Sequence, residues 1–110
     1  MLLIDYRAGS IELLAPLRKM GLPAESGDIP ADIAFEGRGE GGASVMVGIE
    51  FKKLGELVQS LRTQRFQGHQ LLKMRDSFEF CYLLIEGELH YDTRGHLLRR
   101  RGRREFQSLP

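Results

Sequence analysis

The sequence predicts an α/β protein in which helices flank a mixed β-sheet, and three observations lead to this fold class. Apolar runs of strand length recur along the chain, apolar residues at helical spacing lie between them, and glycine-rich segments separate the two kinds of element. The predicted order is β-α-β-β-α-α-β, followed by a C-terminal hairpin. Because 42% of the 110 residues are hydrophobic, residues 1–110 are expected to form a single domain around one core.

The first strand and the first helix are predicted near the start of the chain. Leu2–Asp5 is short and apolar and ends in an acid, which is typical of a strand. Ser10 is a typical N-cap residue, so a helix is expected after it. Pro16 leaves two alternatives: the helix kinks there, or it begins late with Pro16 in its first turn. Gly21 is a natural helix end.

Two segments with alternating polar and apolar residues, Asp32–Glu36 and Ser44–Glu50, predict the strands of an antiparallel hairpin. The segment between them, residues 37–42, contains four glycines and therefore predicts a turn. A glycine-rich loop can instead cradle a phosphate group, but no Gly-Lys-Ser/Thr signature follows, so a P-loop is not expected.

The following segment predicts two helices and a long apolar strand. Apolar residues recur at helical spacing from Lys52 onwards, and a second helical stretch covers about Phe66–Asp76. Phe80–Ile85 is an unbroken apolar run, which is typical of a central strand covered on both faces. Cys81 lies within that run and is expected to be a small core residue.

The C-terminal part of the chain predicts a hairpin and a basic tail. Leu89–Asp92 and Leu97–Arg101 are its expected strands, with a turn between them. Six arginines lie among the last seventeen residues, where Glu105 is the only acid, although the net charge of the chain is +1. The cluster, including Arg99 and Arg100, can bind a polyphosphate backbone, or it can be a solvated basic tail over residues 99–110.

The composition excludes several classes of protein. No apolar run approaches the ~20 residues that span a bilayer, and no signal peptide is recognisable, so a cytoplasmic protein away from membranes is expected. One cysteine excludes a disulfide framework and a cysteine-rich zinc site. The three histidines show no metal-ligand spacing.

A group of polar residues around the predicted hairpin indicates a chemical function. Successive residues of a strand alternate between its faces, so Glu50 and Lys52 would lie side by side, with Asp32 next to them across the hairpin. Two carboxylates and an ammonium group meet the needs of metal-assisted phosphodiester hydrolysis. Mg²⁺ or Mn²⁺ prefers such oxygen ligands, and the carbonyl oxygen of Phe51 can complete the set.

Two further acids lie at the ends of predicted strands. Asp5 ends the first strand and Glu86 ends the apolar one, which places both where a sheet can open into a cleft. A single acid at a strand end is more often a turn former or a helix cap, and Glu-x-Lys is common by chance in a chain with this many charges. The combination with Asp32, in this order of elements, is what favours a catalytic site.

Five segments in order resemble the XPF-type nuclease domain, a branch of the PD-(D/E)xK restriction-endonuclease-like superfamily, and in particular its short phage and bacterial members. The segments are Leu3–Arg7, Ile29–Asp32, Val47–Leu57, Ser60–Phe66 with Gln70 shortly after it, and Leu83–Gly87. They are similar to the opening Asp-x-Arg strand, the Leu-Pro-x-Gly-Asp segment, the Glu-Arg-Lys strand and its helix, the Gly-Arg-Phe segment and the closing Leu-Leu-Ile-Glu-Gly strand of that family. The resemblance covers most of the chain, from Leu2 to about Tyr91.

The resemblance implies a metal-dependent endonuclease of the restriction-endonuclease-like fold that acts on branched, flapped or forked DNA in DNA repair or recombination. Asp32 and Glu50 would bind the metal, Lys52 would assist and Asp5 would support the site. The protein would recognise the shape of the DNA rather than its base sequence, through contacts with the DNA backbone. The residues expected to contact DNA are Arg7, Arg65, Gln70, Arg99, Arg100 and Arg101.

Some residues depart from the family pattern and leave alternatives open. Phe51 replaces the arginine of Glu-Arg-Lys, and Ala8 stands where an acid is common, so a catalytically weak or inactive DNA-binding module is the rival prediction. Asp28 competes with Asp32 as the metal ligand, but Asp32 is preferred because Ile29-Pro30 precedes it and the strand pattern begins there. A structural protein with an incidental acid–lysine pair is a third alternative, and a homodimer is also expected from the family's habit of pairing.

Overall fold

The computed structural model of the protein describes residues 1–63, 69–100 and 106–108. Its strands are β1 (Leu2–Asp5), β2 (Ala24–Gly27), β3 (Ile33–Arg38), β4 (Ser44–Lys53), β5 (Phe80–Glu86), β6 (Leu89–Tyr91), β7 (Leu97–Arg100) and β8 (Phe106–Ser108). Its helices are α1 (Leu14–Lys19), α2 (Leu54–Thr63) and α3 (His69–Ser77), with short 3-10 turns at Ile11–Leu13 and Glu40–Gly42. In the parts of the chain so described, no helix has both the length and the apolar character to cross a membrane.

The first five strands form one mixed sheet in the order β2-β1-β3-β4-β5. β1 runs parallel to β2 and antiparallel to β3, and β3 and β4 form the predicted antiparallel hairpin. In the register of the hairpin, Ala34 lies opposite Gly48. The predicted fold class, a mixed sheet flanked by helices, is therefore confirmed.

β2 has no counterpart among the strands that the sequence predicts. Its four residues, Ala-Glu-Ser-Gly, have little intrinsic preference for extended structure. The strand forms because it pairs along the whole of β1, from Leu2 opposite Ala24 to Asp5 opposite Gly27. Tertiary pairing thus overrides local propensity at this edge of the sheet.

The first helix takes the second of its two predicted forms. A 3-10 turn follows Ser10, and α1 begins only at Leu14, with Pro16 in its first turn. A proline is tolerated there because the first amides of a helix have no intrahelical acceptor. The helix ends at Lys19, shortly before Gly21, whose φ of 87° reverses the chain direction.

The apolar strand β5 differs from its prediction as a central strand covered on both faces. It is the last strand in the order of the five-stranded sheet, and its large apolar side chains are exposed, with 46% of Phe80 and 58% of Tyr82 accessible to solvent. Cys81 is exposed as well, so its prediction as a core residue is wrong. An apolar run predicts a strand, but the position of the strand in the sheet decides how much of it is covered.

Contacts divide the chain into two compact units, so the single domain predicted over residues 1–110 stays a prediction. The first unit contains residues 1–50 and 68–83, and the second contains residues 51–67 and 84–110. In the first unit, the side chain of Met74 in α3 is 1% exposed and packs with Ala34 of β3 and with Phe78. The apolar side of α3 thus covers one face of β1, β3 and β4.

The second unit contains α2 and a three-stranded antiparallel sheet in the order β6-β7-β8. Leu54 and Val58 of α2 are buried, as their helical spacing predicts. The predicted hairpin is confirmed for β6 and β7. Its turn is closed by the carboxylate of Asp92, which accepts hydrogen bonds from the backbone N–H groups of Arg94 at 2.9 Å and His96 at 2.8 Å. The hydrogen bond from His96 is the main reason why the pKa of Asp92 is lowered.

Candidate active site

Three acids lie close together on three neighbouring strands, two of them at a strand end and Glu50 three residues before the end of β4. Asp5 is the last residue of β1, Asp32 immediately precedes β3, and Glu50 follows Ile49 in β4. The backbone N–H of Asp5 donates to the carbonyl of Asp32 at 3.0 Å, and the N–H of Asp32 donates to the carbonyl of Ile49 at 3.1 Å. The main chains of the three acidic residues are therefore adjacent across β1, β3 and β4.

Asp5 and Asp32 line a cavity of about 550 Å³ in the first unit. The charged residues on its wall are Asp5, Arg7, Asp28, Asp32 and Lys73. Among the described residues of the wall, three carboxylates thus face two cations, which is an excess of one negative charge when all five groups are ionised. Such a cavity attracts cations.

Glu50 lies on the side of the sheet that α3 covers, but it is not among the described residues that line the cavity. Gly48, two residues earlier in β4, lies directly beneath the ring of Phe78. Because side chains alternate along a strand, Glu50 is directed to the same face. Its side chain is buried, with 5% of its surface exposed, whereas Asp32 is half-buried.

Arg7 connects two of the cavity's carboxylates. Its guanidinium donates to Asp5 at 2.8 Å and to Asp28 at 2.9 Å, and it lies 4.8 Å from the centre of the Tyr6 ring. These two hydrogen bonds, the one to Asp5 foremost, raise the pKa of Arg7. Arg7 was predicted to contact DNA, and in the structure two acids hold its guanidinium at the cavity. Its contact with DNA stays a prediction.

The sequence model of the ERCC4 domain matches residues 10–107 of the chain. The chain belongs to the ERCC4-domain family. This family comprises XPF-type nucleases, so the resemblance read from the five motifs and the restriction-endonuclease-like fold are both confirmed. No curated protein matches the chain. Asp5 and Arg7 precede the matched range of the ERCC4 domain, whereas Asp32 and Glu50 lie within it.

The two rival aspartates of this ERCC4 domain occupy different positions. The side chain of Asp28 is 73% exposed and forms an ion pair with Arg7. Asp32 lies at the end of the central strands, where its backbone bonds to those of Asp5 and Ile49. This placement favours Asp32 as the metal ligand, and the choice between the two stays a prediction.

Ser10 has a role that its position in the sequence does not reveal. It was predicted to cap the first helix, but its side chain makes no capping hydrogen bond. Instead its hydroxyl donates to the carboxylate of Asp32 at 2.5 Å. No local pattern signals this contact, because it joins residues 22 positions apart.

Lys73 is a second residue of the ERCC4 domain that sequence reasoning missed. It lies in α3, next to the buried Met74, and it reaches the wall of the cavity that Asp5 and Asp32 line. Lys73 is exposed, as a lysine on an amphipathic helix usually is, and the packing of α3 on the sheet is what places it at the cavity. With Arg7, it is one of two cations that the described residues contribute to the cavity wall.

The remaining predicted residues lie in the second unit or are described by their backbone alone. Phe51 and Lys52 continue β4 within the second unit, and Glu86 ends β5 there. The others are placed as follows: Gln70 lies in α3, Arg99 and Arg100 lie in β7, and Arg65 and Arg101 lie outside the described residues. Their predicted roles stay predictions.

The acids of the first unit fit a hard divalent cation. Among the residues that the structure describes, no three His, Cys, Asp or Glu side chains converge into a ready-made metal cluster. Mg²⁺ does not require one, because it keeps several waters and is commonly held by one or two carboxylates together with substrate phosphates. Asp32 and Glu50 supply oxygen donors alone, which suits Mg²⁺ or Mn²⁺.

Proposed function

We propose that this ERCC4 domain is a divalent-metal-dependent endonuclease that hydrolyses phosphodiester bonds in branched, flapped or forked DNA. The observation that carries the proposal is the adjacency of the main chains of Asp5, Asp32 and Glu50 on three neighbouring strands, in a chain of a nuclease family. Two of these acids line a cavity, which gives a phosphate group access to them.

Each residue has a proposed role. Asp32 and Glu50 hold Mg²⁺ or Mn²⁺, with the carbonyl oxygen of Phe51 as a further ligand. The cation, when bound, supplies charge neutralisation at the phosphate and a more acidic water. Lys52 orients the nucleophile or stabilises the charge that develops, and Asp5 supports the carboxylates beside it.

The charge of the cavity supports a requirement for metal. In the part of the chain that the structure describes, its wall carries three carboxylates, of Asp5, Asp28 and Asp32, and two cations, Arg7 and Lys73. A negative wall repels a phosphodiester, and one divalent cation reverses the sign of the local charge. The proposed enzyme should therefore hold a phosphate beside these carboxylates more strongly when the cation is present.

The decisive experiment measures cleavage of labelled flap, fork and fully paired duplex DNA with Mg²⁺, with Mn²⁺ and with a chelator. We expect products from the flap and fork substrates with either metal, and none when the chelator removes it. Saturable DNA binding without metal-dependent products would instead support the rival function, an inactive DNA-binding module. Phe51 and Ala8, which depart from the family pattern, are the residues that favour that rival.

Arg7, Arg65, Gln70 and the arginines 99–101 are proposed to hold the DNA backbone, and the cavity adds Lys73 to this set. We expect Lys73→Gln to weaken binding to a flap substrate because one phosphate contact is lost. The slope of log K against log salt concentration should fall by about one. Fluorescence anisotropy at several salt concentrations, with chelator present to prevent cleavage, measures both quantities.

The matched control for this variant is Lys19→Gln, which removes the same charge from an exposed position at the end of α1. Its DNA affinity and salt slope should equal those of the unchanged chain. If Lys73→Gln shows the same slope as Lys19→Gln, then Lys73 does not contact a phosphate.

We further propose that the protein acts as a homodimer in the cytoplasm of a bacterium or a phage-infected cell. The exposed apolar side chains of β5, such as Tyr82 and Leu84, support pairing because a second copy could cover them. A single unpaired cysteine is consistent with a reducing compartment.

A further inference from the structure

The turn between β1 and the first 3-10 helix brings two hydrogen-bond donors to the acids of the site. The turn is closed by its own backbone, because the N–H groups of Ser10 and Ile11 both donate to the carbonyl of Arg7, at 3.2 and 3.0 Å. Arg7 reaches Asp5 and Asp28 from this turn, and Ser10 reaches Asp32. The position of Ser10 is therefore set by the main chain and not by its bond to Asp32 alone.

The hydroxyl of Ser10 bonds to Asp32 and does not cap the helix that follows it. A serine before a helix usually accepts a backbone N–H of the first turn with its side-chain oxygen. Here Ser10 makes no side-chain capping bond, and the carboxylate of Glu12 accepts a hydrogen bond from the N–H of Gly9 at 2.9 Å. With 4% of its surface exposed, Ser10 is shielded from water that would compete for its hydroxyl.

A hydrogen bond from a hydroxyl to a carboxylate is charge-assisted and stronger than one between neutral groups. It restricts rotation of the Asp32 carboxylate about its last bond. A carboxylate has about four lone-pair positions, and the bond from Ser10 uses one of them. A partner of this kind, which orients a ligating carboxylate, typically contributes a factor of about 10–100 to metal affinity.

From these contacts we propose that Ser10 is a positioning residue that orients the Asp32 carboxylate for a divalent cation. The inference rests on the proposed function, in which Asp32 is a metal ligand. Ser10 itself touches neither DNA nor the cation, and its effect passes through Asp32 alone. A merely structural role for Ser10 would change the stability of the chain without a specific change in metal affinity.

The test measures Mn²⁺ binding to the purified chain without DNA, from the electron paramagnetic resonance signal of free Mn²⁺. Ser10→Ala is expected to bind Mn²⁺ about 10-fold more weakly than the unchanged chain. Ser10→Thr keeps a hydroxyl and should restore the affinity. Circular dichroism shows whether each variant is folded, and Ser10→Cys, which offers only a weak donor, replaces Ser10→Ala if the latter is unfolded.

Ser44→Ala is the matched control, because the Ser44 hydroxyl also donates to a carboxylate, that of Glu36, at an exposed position of the β3–β4 hairpin. Its Mn²⁺ affinity should be unchanged, and an equal loss in both alanine variants would overturn the proposal. Unchanged affinity in Ser10→Ala, with affinity lost in Asp32→Asn, would overturn the role of Ser10 and leave the proposed function intact. Full affinity in Asp32→Asn would overturn both.

Discussion

Asp32→Asn and Glu50→Gln should each reduce metal-dependent cleavage of flap or fork DNA by at least about 100-fold, because each removes one of the two proposed ligand charges. Both substitutions preserve the size of the side chain. The amide group of Asp32→Asn keeps an oxygen that can accept a hydrogen bond from the Ser10 hydroxyl. DNA binding with chelator present should be retained, since neither change removes a positive charge. Single-turnover cleavage rates and anisotropy, measured on the same substrate, separate the two properties.

Two variants with equal changes in charge serve as controls for this prediction. Glu25→Gln in β2 and Asp76→Asn in α3 neutralise exposed acids outside the proposed ligand set, and both should cleave at the rate of the unchanged chain. If Asp32→Asn and Glu50→Gln cleave as fast as these controls with metal present, then the proposed ligand assignment is wrong. Cleavage lost only in Asp28→Asn would transfer the ligand role to the rival aspartate.

Gly48→Ala should destabilise the first unit strongly, because the added methyl group would lie 2.7 and 2.8 Å from Cε2 and Cγ of the Phe78 ring. Real Cβ atoms almost never approach so closely, so the ring or the strand must move. Overpacking of a core typically costs about 1–3 kcal/mol. Each kcal/mol lowers the Tm of a small domain by roughly 4–8 °C, which thermal unfolding followed by circular dichroism detects.

The control for the steric argument is Gly27→Ala in β2, where a Cβ atom would have nothing within 4 Å. Its Tm should stay close to that of the unchanged chain. A smaller side chain at residue 78 should relieve the overlap. The loss of stability in the double variant Gly48→Ala/Phe78→Leu should therefore be smaller than the sum of the losses in the two single variants. Additive losses would show that the Phe78 ring is not the obstacle.

Much of the framework of the candidate site follows from local pattern. The alternation in Ser44–Glu50 is confirmed as part of β4, and the apolar start of the chain is confirmed as β1. Because period and turn residues are local properties, they predict where a strand begins and ends, and they predict Asp5 at the end of one strand and Asp32 at the start of another. The structure places their main chains next to each other.

Contacts between distant segments were not predictable in this way. The hydroxyl of Ser10 bonds to a carboxylate 22 residues further along the chain, and Lys73 reaches the cavity from a helix that follows all the strands lining it. Neither residue stands in a motif, since each owes its role to the way its segment packs against the sheet. The same dependence on packing places β5 last in the sheet order and leaves Cys81 exposed.

Residue order and spacing were thus sufficient to predict the fold class and the family, because hydrophobic period and short motifs depend on residues that are close in the sequence. Contacts between distant segments decide three other features. These are the pairing of β2 with β1, the solvent exposure of each strand and the hydrogen-bond donors around Asp32. Many pairings satisfy the same local pattern, and the free energy of packing selects one of them. The chemistry proposed for this ERCC4 domain draws on both sources: the acids come from the motifs, and their environment comes from the fold.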